Sequence, residues 1–226
     1  YGALVWSGDI VSTFECFRRQ VQAGLNMAIA GIPWWTTDIG GFHGARTDDP
    51  DFHRLYIRWF EYGCFCPVMR LHGNRNPQEG YGAEQIGSGS DNEIWSFGDK
   101  AYEISKKYIF LRERLRDYIR TQMKKAHEDG TPMMRPVFYD FPTDQESWNV
   151  EDAYLFGPDL YVAPVMEDHV TEREVYLPDG TAWFNAWTGE KYEGGQNVTV
   201  AAPLDTIPVF VKEGADAEKL LNIFSE

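Results

Sequence analysis

An α/β part followed by an all-β part is the fold class this sequence predicts, and three observations carry that prediction. Short apolar runs at 3–6, 32–35 and 67–70 alternate with stretches of helical periodicity up to about residue 128. From Thr131 onward the pattern changes to short β-rich runs punctuated by turn signals. Each of the three apolar runs also leads into a loop carrying acids, aromatics and glycines, where a parallel α/β protein places its chemistry. The boundary falls near residue 130, dividing the chain into 1–130 and 131–226.

The first run, Ala3-Leu4-Val5-Trp6, enters a Ser-Gly turn that presents Asp9. Because an isolated strand cannot begin a parallel sheet, the chain is expected to open in the middle of a domain. Thr13 then caps a helix over about 13–30, with Phe14, Phe17, Val21, Leu25 and Ala28 at helical spacing. Ile32-Pro33-Trp34-Trp35-Thr36 is the next strand, ending at Asp38 on the glycine-rich loop Ile39-Gly40-Gly41-Phe42. Asp49-Pro50 opens a helix over about 51–65, with Phe52, Leu55, Tyr56, Trp59 and Phe60 inward. Pro67-Val68-Met69-Arg70 is the third strand, ending at Leu71-His72-Gly73, and the long polar segment from Asn74 to about Asn92 is expected to wall an active site. One long helix is predicted over 98–128. Strand–helix units with functional residues at each strand end are the organisation of the last part of a (β/α) barrel.

Behind it, 135–141, 160–165, 173–177, 182–185 and 197–200 read as strands of an antiparallel sandwich over about 132–214. Pro178-Asp179-Gly180 and Thr188-Gly189-Glu190 read as hairpin turns, and the sequon Asn197-Val198-Thr199 as strand sequence.

Composition narrows the function. With 21 Lys+Arg against 35 Asp+Glu the net charge is −14, which excludes nucleic acid and anionic membrane as partners. No run reaches transmembrane length, and no signal-peptide pattern is present. Three cysteines form neither a disulfide framework nor a zinc site, so buried free thiols and a cytoplasmic location are expected. Aromatics at 15% are mostly core, but exceed what the core needs and fit sugar faces.

The three strand ends deliver Trp6 and Asp9, then Trp34, Trp35, Asp38 and Phe42, then Arg70 and His72. Taken singly, an Asp at a turn is usually a cap and a buried His a satisfied core residue. Adjacent parallel strands would bring the whole set to one mouth, and that convergence is the argument for a site. Arg70 is expected to pair with Asp38, since a guanidinium can hold a carboxylate bidentately.

In order, Trp6-Ser7-Gly8-Asp9, Trp35-Thr36-Thr37-Asp38-Ile39-Gly40-Gly41-Phe42 and Arg70-Leu71-His72-Gly73 resemble the signature blocks of glycoside hydrolase family 31, which includes α-glucosidases and α-xylosidases. The block Gly130-Thr131-Pro132-Met133-Met134-Arg135-Pro136 resembles that family's junction between barrel and first C-terminal sandwich, and residues 154–165 resemble the sandwich's start. The resemblance implies about the last three strands of a (β/α)8 TIM barrel plus the first C-terminal β-sandwich. It implies that Asp9 is the general acid/base and that Trp6 lines the adjoining subsite. Asp38, paired with Arg70, and His72 would then bind hydroxyls of the non-reducing-end sugar, with Trp34 and Phe42 as apolar walls. A retaining glycosidase needs one carboxyl protonated to serve the leaving oxygen and one ionised to attack. Desolvation beside Trp6 and a neighbouring anion would suit Asp9 to the first role, and Arg70 would hold Asp38 ionised.

The family's nucleophile is an Asp on an earlier strand, in a Lys-x-Asp-x-x-Glu block, and no such block occurs here. The expected protein is therefore a retaining α-glycosidase fragment acting on terminal α-linked glucose or xylose of oligosaccharides or glycosides, completed by its own missing N-terminal half. The nucleophile lies outside this chain, and neither metal nor cofactor is required. The alternatives are a non-catalytic carbohydrate-binding or structural module, and an α-transglycosylase of the same family.

Overall fold

Strand β1 (Val5–Trp6) lies parallel to β2 (Trp35–Thr36), with Val5 opposite Trp35 and Trp6 opposite Thr36. The computed structural model describes residues 3–76, 89–214 and 216–225. Between the strands runs α1 (Phe14–Ile29), whose first turn is closed by the Thr13 hydroxyl accepting the Cys16 N–H at 3.1 Å. Next comes α2 (Pro50–Cys64), begun by Asp49 accepting the Asp51 N–H and by Pro50 in the first turn. The third apolar run stays beside β2 through two backbone bonds, Val68 N–H to Trp35 O and Ile39 N–H to Arg70 O. It forms no continuous ladder because Pro67 has no N–H to give. The Thr36 hydroxyl bonds Val68 O at 2.8 Å instead. The predicted long helix is two: α3 (Gly98–Arg114) and α4 (Arg116–Glu128) part at Leu115, where ψ opens to −3°. The proposed loop wall falls mostly on 77–88, outside the described residues.

The β part is a six-stranded antiparallel sheet with a two-stranded layer on one face. Its strands are β3 (Met134–Pro136), β4 (Tyr154–Phe156), β5 (Leu160–Val162), β7 (Ala182–Asn185), β8 (Lys191–Glu193) and β10 (Val209–Lys212), in the order β3-β4-β5-β10-β7-β8. The second layer pairs β6 (Glu172–Leu177) with β9 (Gln196–Ala201). The strand expected over 135–141 ends at Pro136, and Val137–Asp140 form a helical turn, α5. Arg135 Nε bonds Asp140 Oδ2 at 2.7 Å, a contact that an extended chain would stretch to roughly 16 Å. Thr188-Gly189-Glu190 does close the β7–β8 hairpin. Pro178-Asp179-Gly180 does not close a hairpin: it carries the chain from β6 in one sheet to β7 in the other.

Period-two alternation explains how the parts meet. Tyr154, Phe156, Leu160, Val162, Val209 and Val211 turn toward the core shared with α1, α2 and α3. Their alternates Leu155, Tyr161 and Phe210 pack with Val175, Leu177, Val198 and Val200 of the second layer. Apart from the largely exposed edge strand β8, the sheet is thus buried on both faces. The closing helix α6 (Ala217–Ser225) adds Leu220 and Phe224 to the first core.

Covered by that sheet, α2 is buried all round from Leu55 to Cys64. This encloses Arg58 and Glu61, 3.2 Å apart. Arg58 also donates to the carbonyls of Val170, Ala202, Pro203 and Thr206, all in the β part. Arg112 caps the end of α2 through Cys64 O, Cys66 O and Pro67 O. Among the described residues no helix is long and apolar enough to cross a membrane.

Helix α1 meets β2 so closely that Gly24 has no room for a side chain. A Cβ there would stand 2.6 Å from Nε1 of Trp35, which is 4% exposed. Helix propensity alone would make Gly24→Ala stabilising by about 1 kcal/mol. The clash reverses the sign, and Gly24→Ala is expected to cost about 1–3 kcal/mol, seen as a lowered Tm. An unchanged or raised Tm would mean that α1 and β2 are not in this contact.

Candidate active site

The loops following β1, β2 and the third run are laced together by backbone bonds. Phe42 N–H and His43 N–H both reach Ile10 O, and Ser12 N–H reaches His43 O. On the other side Asn74 N–H bonds Phe42 O, and Asn76 N–H bonds Ala45 O. Ser7 Oγ adds a hydroxyl contact to Thr37 Oγ1 at 3.3 Å. The three loops therefore form one surface, in the order expected of neighbouring barrel strands.

Asp38 is the buried centre of that surface, 0% exposed. Arg70 Nη1 stands 2.8 Å from its Oδ1, while Arg70 also lies over the Trp6 ring at 5.4 Å. Yet no N–H or O–H of the described residues meets either Asp38 oxygen in hydrogen-bonding geometry. Burial raises the Asp38 carboxyl above the ordinary range, and Asp9 pushes the same way, while Arg70, His72 and Arg75 pull it down. The expected Arg70–Asp38 pair is present, and Arg70 pulls the carboxyl down against the larger, opposite effect of burial.

Phe42 and His72 face each other with ring centroids 5.4 Å apart. Trp6, Asp38, Phe42, Arg70 and His72 are thus brought together, and Asp9 stands close enough to act electrostatically on Asp38. Asp9 is exposed, and Trp6 is 47% exposed, so these residues alone do not provide the desolvated setting expected for the acid. Trp34 leads into β2, and its carbonyl accepts the Val5 N–H. No group of three or more His, Cys, Asp or Glu among the described residues is disposed to hold a metal ion. Cys16, Cys64 and Cys66 are free thiols, and burial pushes Cys64 and Cys66 up to about 12.

Sequence reasoning missed Arg75, which is fully buried behind these loops, bonded twice to the Asp38–Phe42 loop and in contact with Ser12 of the Asp9 loop. The available signal was the density of glycines around it, Gly40, Gly41 and Gly73, whose function a linear reading could not assign.

The family 31 glycosyl hydrolase TIM-barrel domain is matched over residues 1–122, and the family 31 C-terminal domain over 130–215. An α-xylosidase of Saccharolobus solfataricus is 39% identical over 215 residues, which are 95% of this chain and 28% of that protein. The α-glucosidase 2 of Bacillus thermoamyloliquefaciens is 35% identical, over 94% of this chain and 25% of its own length. A solved structure, the family 31 α-xylosidase from a soil metagenome complexed with xylose, superposes with a TM-score of 0.94. It is 54% identical, and the match covers 98% of this chain and 34% of that one. The chain spans between a quarter and about a third of each of these relatives. Parallel strands with laced loops, a two-layer β part behind them and both domain matches lead to one conclusion: the chain belongs to glycosyl hydrolase family 31.

Proposed function

We propose that this chain supplies the acid/base and sugar-binding groups of a retaining α-glycosidase that removes terminal α-linked xylose. The observation that carries this is Asp38: a buried carboxylate with a cation beside it and, among the described residues, no donor in hydrogen-bonding geometry at either oxygen. A buried polar atom left without a partner is costly, and sugar hydroxyls are the donors that would satisfy it. Arg70 and His72 flank the same ligand, Phe42 packs against its apolar face, and Trp6 borders the leaving-group side. Asp9, on the neighbouring loop, donates its proton to the departing oxygen. The bound sugar excludes the water that otherwise reaches the exposed Asp9. That carboxylate belongs to a segment preceding Tyr1 in a longer protein, so activity resides in the full-length enzyme. The division near residue 130 is the domain boundary, and the free thiols fit a reducing, cytoplasmic setting.

The choice of xylose over glucose is supported by the names of two of the relatives above, an α-xylosidase 39% and one 54% identical to this chain. Hydrolysis of p-nitrophenyl α-xyloside and α-glucoside by the full-length protein tests it. At least tenfold higher kcat/KM on the xyloside is expected. A preference for the glucoside moves the enzyme to the α-glucosidase class, and inertness on both defeats the glycosidase reading.

A further inference from the structure

Among the described residues, Arg75 is a buried cation with no carboxylate in hydrogen-bonding contact. Its Nη1 donates to Gly41 O at 2.8 Å and touches Ser12 Oγ at 3.5 Å. Nη2 donates to Ile39 O at 3.1 Å, and Nε to Asn92 Oδ1 at 2.8 Å. Below it lies the Phe52 ring of α2, 4.8 Å from the guanidinium carbon. The site is shaped to this side chain. A Cβ on Gly73 would stand 2.5 Å from Arg75 Cζ, and one on Gly40 would stand 3.2 Å from Nη2. Burial depresses the guanidinium to about 10, a cost that a neutral residue in a merely structural role would not carry.

The partners fix what this cation does. Ile39 and Gly41 bracket the turn between Asp38 and Phe42, and Ser12 lies three residues beyond Asp9. One rigid fork thus ties the loop of the buried carboxylate to the loop of the acid, and Asn92 anchors it from the far side. We propose that Arg75 is a positioning residue of the sugar site, setting the Asp38–Phe42 loop against the Asp9 loop and placing a second fixed positive charge behind Asp38. The proposal rests on the reading of Asp38 as a sugar-binding carboxylate. Among the described residues, the charged groups that act on Asp38 are Arg70, His72, Asp9 and Arg75, and of these four only Arg75 is fully buried.

The test compares Arg75→Met and Arg75→Lys with wild type in the full-length enzyme, using p-nitrophenyl α-xyloside across pH and a crystal structure of the Met variant. Misplacing a binding loop by about 1 Å costs on the order of 10²-fold, and that fall in kcat/KM is expected for Met. With one cation gone, Asp38 ionises at higher pH, so the acid limb of the kcat/KM profile should move upward. Lys should restore the limb, because it keeps the charge, but not KM, because it lacks the fork. A Met variant with an unshifted limb and only a lowered Tm makes Arg75 structural and overturns the proposal. Should the wild-type protein prove inert on glycosides, the glycosidase reading falls and the crystal structure alone decides Arg75. An Asp38–Phe42 loop within about 0.5 Å of its present position in the Met variant overturns the positioning role, and a displaced loop supports it.

Discussion

Asp9→Ala in the full-length protein is expected to cut hydrolysis of sugar and alkyl α-glycosides by about 10²–10⁴-fold, the usual worth of a positioned proton donor. Aryl glycosides with very acidic phenols need no protonation to depart, so their first step should survive the change. The covalent intermediate should then persist for want of a base to activate water. Azide, which attacks without such help, should restore turnover and yield the α-configured glycosyl azide. Asp38→Ala should behave differently. It removes a group that grips the sugar, so all leaving groups suffer alike and azide recovers nothing. Azide rescue of Asp38→Ala and not of Asp9→Ala would reverse the two assignments.

The second large effect lies away from the mouth, at Arg58. Arg58→Met removes four donated bonds to the β part and leaves Glu61 buried without its cation. Breaking one side of a buried pair costs about 3–5 kcal/mol, or roughly 10 °C in Tm. pH sharpens the test. Burial pushes the Glu61 carboxyl up to about 8 from a normal 4.5, so the folded state favours the protonated form. That preference helps the fold fully below about pH 4.5 and is lost as pH rises through about 8. The deficit of Arg58→Met should therefore widen only as pH rises above about 8, where Glu61 ionises beside Arg58 in the wild type but stays protonated without it, and Glu61→Gln should flatten the pH dependence and recover part of the loss. A pH-independent deficit that Glu61→Gln does not touch would mean that the pair is not the source.

Much of this was legible in the linear sequence, and the boundary of legibility is physical. Asp9, Asp38, Arg70 and His72 follow apolar runs directly, so a strand-end rule locates them without knowledge of tertiary structure. The inward face of β9, Val198 and Val200, follows from local alternation. What failed depended on distant partners. Pro178-Asp179-Gly180 has the chemistry of a hairpin turn, but whether the chain pairs with itself or crosses to another sheet is decided by β9 and β10. Arg58 and Glu61 sit three apart on a helix and look like a surface pair. Only the arrival of Val170, Ala202, Pro203 and Thr206, 112 to 148 residues onward, makes them interior. Arg75 is the same case at the site: its partners at Ser12, Ile39 and Gly41 are 63, 36 and 34 residues away.

The sheet that, apart from β8, is buried on both faces bears on how such proteins can be recombined. The two domain matches leave a gap at residues 123–129, which looks like a natural splice point for building chimeras from relatives. Yet β4, β5 and β10 send every second side chain into a core shared with α1, α2 and α3. A crossover there would join a roof shaped for one set of helices to the helices of another. The two parts are one inheritable unit, and exchange should succeed only when α2 travels with the loops of Pro203 and Thr206 that receive Arg58.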